Sequence, residues 1–301
     1  MSMKQTMEIY ELLDSAKATG DKVASLLHKR GLADVTVQTV EGPERSTDFV
    51  KAVIPGGEGP VLGIIGRLGG VGARPEMLGL VSDADGAIVS LATALKLADM
   101  RNAGDELPAR VIVSTHVCPN APVLPHEPVP FMNSPVDMGE LLRLEVDPVM
   151  QAILSIDTTK GNRVINHKGF AISPTLKEGY ILRCSEDLLD LMEIVTGAAA
   201  AVLPITTQDI TPMGNGVYHL NSIMQPGRLT DAPVVALAIT AESVVPGCAS
   251  GASCIVDLEQ AVRFCVEAAK AFGAGKCRFY DPEEFITIKS LYGSMHRLLE
   301  S

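Results

Sequence analysis

Four places in the 301-residue chain set side chains able to do chemistry at the ends of apolar runs. Arg67 follows PVLGIIG, His116 and Cys118 close the run ARVIVSTHVC, Asp157 ends ILSID, and Asp83 with Asp85 precedes GAIVSLATALKLADM. An ionised carboxylate at the edge of an apolar segment needs a partner, so Asp157 reads as a functional acid as readily as a structural one. Asp83 and Asp85 stand where carboxylates also serve simply to cap the free N–H groups of a helix start. His116 and Cys118 are two apart, so an extended chain turns them the same way, where imidazole and thiolate could share a zinc ion. A hydrogen-bonded core histidine beside an inert thiol is the plainer alternative. Arg67 has the planar fork that suits a ligand carboxylate. Arg74 and His126, the latter in a proline-rich stretch, are further candidates for holding substrate.

The glycine-rich stretch GIIGRLGGVGA follows a strand-like run, as a dinucleotide-binding loop would. The fingerprint fails, because Leu68 stands where a glycine is required two positions after Gly66, and Arg74-Pro75 does not open a helix. A nicotinamide or flavin cofactor is therefore not expected.

The elements that must position these groups alternate. Residues 7–30 read as two helices broken at Gly20, and ADVTVQTVEG with FVKAVIPG as a hairpin through GPERSTD. VLGIIG is a nearly continuous apolar run, the mark of a strand buried on both faces, and ARVIVST, ILSID and VVALAIT read as further buried strands. Between them lie helical patterns: GAIVSLATALKLADM, SEDLLDLMEIVTGAAAAV with Ser185 as cap, and DLEQAVRFCVEAAKAF. Such alternation predicts an α/β protein, a three-layer α/β/α sandwich around a mixed, mostly parallel sheet. It is expected to form a single domain over residues 1–301, with 274–301 as a C-terminal strand-helix addition whose exposed strand favours a homo-oligomer. Residues 119–135 hold six prolines and read as a long ordered loop.

Bulk properties exclude some partners. A net charge of -11 disfavours nucleic acid and anionic membranes. No apolar run approaches the roughly 20 residues needed to span a bilayer, and the charged N-terminus does not read as a signal peptide, so a cytoplasmic protein is expected. Six scattered cysteines without a CxxC pair suggest neither a disulfide framework nor a zinc knuckle.

From MEIYELLDSAKATGDKVASLLHKRG through VLGIIGRLGGVG, SDADGAIVSLATALKLA, VIVST, SID and PVVALAIT to DLEQAVRFCVEAAKAF, the succession of segments resembles a known fold. It is similar to the catalytic domain of the zinc aminopeptidase and carboxypeptidase superfamily over residues 7–273. More closely, the whole chain looks like the family catalogued as domain of unknown function 1177. The resemblance implies that Asp83 matches the aspartate bridging two metals and Asp157 the carboxylate ligand ending a later strand. Other positions depart from it. Arg67 replaces the first histidine ligand, Gly69 the aspartate of the His-x-Asp motif, Cys118-Pro119 the paired glutamates, and PGCASG lacks the last histidine. Two-metal hydrolysis needs ligands for both ions and a base, so the standard dinuclear site is not expected.

Two functions follow as expectations. One is a hydrolase of an amide or peptide-like small molecule, with Asp83, His116 and Cys118 catalytic, Arg67, Arg74 and His126 binding substrate, and one divalent ion, zinc being the candidate, on Asp83, Asp157 and His116. The other is a non-catalytic ligand-binding or regulatory protein derived from a peptidase fold, holding an anionic ligand with Arg67 and the glycine loop.

Overall fold

The computed structural model describes all residues except Leu68, 126–130, Asn221, Pro246, Cys248 and Ser301, and the side chain of Phe131. His126, one of the expected substrate-binding residues, thus lies outside the described residues.

Helices α1 (Met3–Asp14) and α2 (Gly20–Lys29) open the chain. Gly20, expected as a breaker, begins α2, its N–H held by Asp48 at 2.7 Å while the Thr19 hydroxyl caps Lys22. The hairpin forms from β1 (Val35–Glu41) and β2 (Ser46–Glu58), followed by β3 (Leu62–Gly66), α3 (Asp85–Asn102) and β4 (Ala109–Val117). The proline-rich stretch carries only the two-residue strands β5 (Val123–Leu124) and β6 (Phe131–Met132), and then a helix, α4 (Met138–Glu145). Next come β7 (Ala152–Thr158), the short strands β8 (Gly169–Ile172), β9 (Leu176–Lys177) and β10 (Tyr180–Ile181), and α5 (Glu186–Thr196). Ser185 caps α5, which stops at Gly197 in the left-handed conformation, so the alanine run beyond it is not helical. Strand β11 (Val234–Thr240) and helices α6 (Ile255–Gly273) and α7 (Pro282–Tyr292) complete the list.

One mixed sheet runs β1-β2-β4-β3-β7-β11-β9-β10, with β8 also on β11. Its four central strands, β4-β3-β7-β11, are parallel and its flanks antiparallel. Apolar residues alternate between two cores. Leu62 and Ile64 of β3, with Val113, Leu154, Ile156 and Leu237, pack under α1, α2, α3, α5 and α6. Ile65, Ile112, Ile153 and Ala236 face the other way. That second face is covered by Val146 and Met150 beyond α4 and by irregular segments carrying Leu203, Ile210, Ile223, Met224 and Leu299, with α4 itself packing through Leu141 on Phe49 and Val40. The two helical layers are thus unequal, five helices against one.

Residues 274–281 form no strand, contrary to expectation. Their carbonyls are taken instead by side chains, Phe279 by the Thr175 hydroxyl and Arg278 by Ser185, both at 2.5 Å. The reason given for self-association, an exposed strand in this segment, lapses with it. Among the described residues no helix is long and apolar enough to cross a membrane.

From β3 the chain moves through α3 to β4 on one side, whereas from β7 it moves to β11 on the other. The sheet therefore has its topological switch point between β3 and β7, the place where open α/β sheets bind ligands beyond the carboxyl ends of their strands. Arg67 and Asp157 sit at those two ends.

Candidate functional site

Strand parity assigns the site. Side chains alternate along a strand, and Ile64 and Ile156 face the five-helix layer, so Gly66 turns toward α3 while Arg67 and Asp157 turn to the second face. His116 follows the same rule from Val113. Glycines bring the start of α3 against the strand ends. A Cβ on Gly66 would lie 2.4 Å from Ser90 Oγ and 2.5 Å from the Gly86 carbonyl, and one on Gly86 would lie 2.5 Å from the Ile156 carbonyl. This close approach carries Asp83, on the short turn Ser82–Ala84, and Asp85, first in α3, to the same end of the sheet.

Arg67 is fully buried. Its Nη1 donates to the Glu145 carboxylate, the last residue of α4, and Nη2 lies 3.2 Å from Met138 Sδ, while Nε has no partner. Burial pushes the Glu145 carboxyl up to about 7, against the pull of Arg67. The Asp157 carboxyl is likewise raised by burial, opposed by Arg67. Its Oδ1 accepts from the Thr158 N–H at 2.7 Å and its Oδ2 from the Ser222 hydroxyl at 3.3 Å.

Asp83 is 3% exposed, and its Oδ1 has no partner. Burial raises this carboxyl well above the usual range, with the Asp157 and Asp85 charges adding to it. Asp85 differs although it is buried as deeply, since Lys160 Nζ and Ser253 Oγ each donate to it at 2.5 Å. Lys160 also reaches the Ala252 carbonyl at 2.7 Å. The cap role weighed for Asp83 and Asp85 therefore belongs to neither side chain.

His116 is spent within the protein. Its Nε2 accepts from the Gly69 N–H at 2.9 Å, which leaves the proton on Nδ1 to donate to Thr47 Oγ1 at 2.9 Å. Its ring stacks on Phe49, centroids 5.2 Å apart. Burial first, and then Arg67, drive its pKa down to about 3. We expect its ring nitrogen resonances to show no titration between pH 5 and 8 by NMR; a midpoint near 6.5 would show that the two bonds do not hold.

Cys118 lies just past the end of β4 at Val117: its N–H donates to the Gly69 carbonyl at 2.9 Å and its thiol to the Ser46 carbonyl at 3.4 Å, while it packs with Ala73, Val81, Ala121, Met132 and Ala249. Burial pushes its thiol up to about 11, so the nucleophilic thiolate is scarce at neutral pH. Arg74 is engaged with main-chain carbonyls, Pro119 at 3.1 Å and Asp14, beside the C-terminus of α1, at 2.6 Å. Of the residues expected from sequence, Arg67 is near enough for its charge to act on Asp157 and His116, and Asp157 on Asp83, while the His116 lone pair is used by Gly69. Among the described residues no three His, Cys, Asp or Glu side chains are placed to hold a metal ion, so Asp83, Asp157 and His116 do not form the expected ligand set. Sequence reasoning missed Glu145, Lys160, Ser222 and Ser253. The segment DMGELLRLE, with Asp137 capping Glu140 at 3.0 Å ahead of a Leu-Leu pair, was a readable short helix signal. Lys160, three residues past Asp157, carried none.

The family described as "Protein of unknown function (DUF1177)" matches residues 38–301. The chain belongs to this family. No curated protein sequence matches it. Among solved structures, the bottromycin maturation enzyme BotP is similar at a TM-score of 0.55 and 16% identity, over 91% of this chain and 70% of that one. BotP in complex with Mn is similar at 0.55 and 15%, over 91% and 71%. A mutant of tomato leucine aminopeptidase is similar at 0.52 and 13%, over 88% and 60%. At these identities the likeness shows the fold, a metallo-exopeptidase-like one.

The residues of this family member do not fit a pair of co-catalytic ions. Arg67 brings a permanent positive charge to the strand end where the resemblance calls for a ligand. At Gly69 a Cβ would lie 1.5 Å from the His116 carbonyl oxygen, so no carboxylate-bearing residue fits that backbone.

Proposed function

We propose that this chain binds a small amide- or peptide-like molecule at the switch point between β3 and β7, and that it does so without two-metal hydrolysis. The observation carrying this is the pairing of buried charges. Of the four buried carboxylates at this end of the sheet, Asp83, Asp85, Glu145 and Asp157, two already have protein cations, Glu145 with Arg67 and Asp85 with Lys160. Internal ion pairs supply the positive charge that metals give in a two-metal site. The carboxyls of Asp83 and Asp157 are left over, and the unpaired Asp83 Oδ1 and Arg67 Nε offer a ligand one acceptor and one donor. A peptide-like molecule has groups for both.

The second reading, a hydrolase of the same ligand class, is favoured by those leftover carboxyls. Neighbouring acids with raised pKa values can act as an acid and base pair around neutrality. Calorimetric titration of the chain with dipeptides and N-acyl amino acids, alongside product analysis with and without Mn or Zn, separates the two. Saturable binding with no product is the result expected. Turnover appearing only with added metal would overturn the proposal, and metal-independent turnover would favour the second reading.

A further inference from the structure

Residues 206–222 carry a group that the site as described does not use. Asp209 holds both feet of a loop there. Its Oδ2 accepts from the Thr206 N–H at 2.8 Å and hydroxyl at 2.9 Å, and its Oδ1 accepts from the Leu220 N–H at 2.8 Å. Gln225 Nε2 adds a bond to the Thr211 carbonyl at 2.9 Å. Between the feet the crest is exposed, its own bonds staying within the loop: Asn215 Nδ2 donates to Thr211 Oγ1 at 3.2 Å and the Val217 N–H to Asn215 Oδ1 at 2.9 Å. Gly214 and Gly216 have φ of +83° and +80°, side chains there would meet nothing within 4 Å, and Tyr218 is 78% exposed. His219 belongs to the held end, next to Leu220. Both of its ring nitrogens are out of contact with water, and among the described residues neither has a hydrogen-bond partner.

Two residues beyond the crest's C-terminal foot the chain passes over the end of β7. There the Ser222 hydroxyl donates to Asp157 and the Ser155 hydroxyl to the Ile223 carbonyl at 2.5 Å. Ser222 is three residues on from His219, a reach of at most roughly 11 Å of chain. A neutral imidazole has one N–H donor and one lone-pair acceptor, and a buried polar group left unmatched is costly. An unmatched imidazole on an anchored backbone, three residues before the serine that bonds Asp157, calls for a molecule bearing both a donor and an acceptor.

We infer that His219 is a specificity-determining residue of the switch-point site, its donor and acceptor engaging a carboxamide or peptide group of the bound molecule. The inference rests on the proposed ligand-binding function and adds to it the residue that reads the amide. The bonds at the loop's feet keep His219 in place.

The probes are glycyl-L-leucine, L-leucinamide and N-acetyl-L-leucine, titrated into the full chain by calorimetry. His219→Ala should weaken the amide-bearing probes tenfold or more with an unchanged melting temperature, and His219→Gln, which restores a donor and an acceptor, should recover part of the loss. In the native protein the His219 ring resonances should shift as probe is added, a readout that stands even if the alanine variant fails to fold. Native binding with equal affinity in both variants and no ring shift overturns the role of His219 alone. Absence of binding of every probe by the native protein overturns the underlying function, and this inference with it.

Discussion

Replacing Arg67 by methionine should destabilise the chain by about 3–5 kcal/mol, the loss typical when one partner of a buried ion pair is removed and its counter-charge is left uncompensated. Glu145 and Arg67 are both without exposed side-chain surface, so no water can take over for the missing guanidinium. The same change frees Asp157 from the charge that holds its carboxyl down. Replacing both Arg67 and Glu145 by methionine should recover most of the loss, because an apolar pair of similar volume often does as well as a buried ion pair. Urea denaturation followed by circular dichroism measures all three proteins. A single variant within 1 kcal/mol of the native chain would show that the pair does not fix α4 on the sheet.

Asp83→Asn should stabilise the protein at pH 7.5 by at least about 1.4 kcal/mol, the worth of one pKa unit, because burial and the neighbouring charges oppose an ionisation that the unfolded acid undergoes freely and the amide does not undergo at all. The pH dependence follows from the direction of the shifts. Glu145, Asp157 and Asp83 all have carboxyls raised in the folded state, Glu145 to about 7. Between the ordinary carboxylate range near 4 and these raised values the folded chain holds more protons than the unfolded one, so stability falls as pH rises across that window. The contribution is complete below about 4 and lost by the time pH passes through the folded values. Carboxylates held low, such as Asp99 and Asp147, act oppositely and only on the acid side, as pH drops below about 4. The native chain should therefore be more stable at pH 5.5 than at pH 7.5, with a shallower slope in Asp83→Asn. If that variant melts below the native protein at both values, Asp83 has a partner that holds it ionised.

Much of the fold was legible because buried parallel strands and their covering helices write two different periods into the chain. LGIIG is apolar at every position and VVALAIT at every position but its last, Thr240, and every one of those positions is buried. Their ends named Arg67 and Asp157 in advance. What stayed hidden depends on pairing across the fold. Nothing local marks Glu145, 78 residues from Arg67, or Lys160, 75 from Asp85, as partners. His116 shows the converse. Its residue type suggested a ligand, whereas the two groups that use its nitrogens come from the loop after β3 and the edge of β2. The supposed strand after Lys276 failed for a similar reason, since side-chain hydroxyls of Thr175 and Ser185 claim backbone groups that a strand would have offered to the sheet.

The glycine at position 69 makes this architecture a one-way door. Swapping Arg67 for histidine would return an imidazole to the end of β3, but the acidic companion two residues later cannot return with it, because the carbonyl of His116 already fills the space its first side-chain carbon would need. Making room means retracting the end of β4, which would pull the Gly69 N–H off the His116 ring. Grafting a peptidase's metal-binding motif onto this chain by point substitution should thus fail at the backbone before any question of ligands arises. An engineer, like natural selection, would have to re-route the loop between β3 and α3 first.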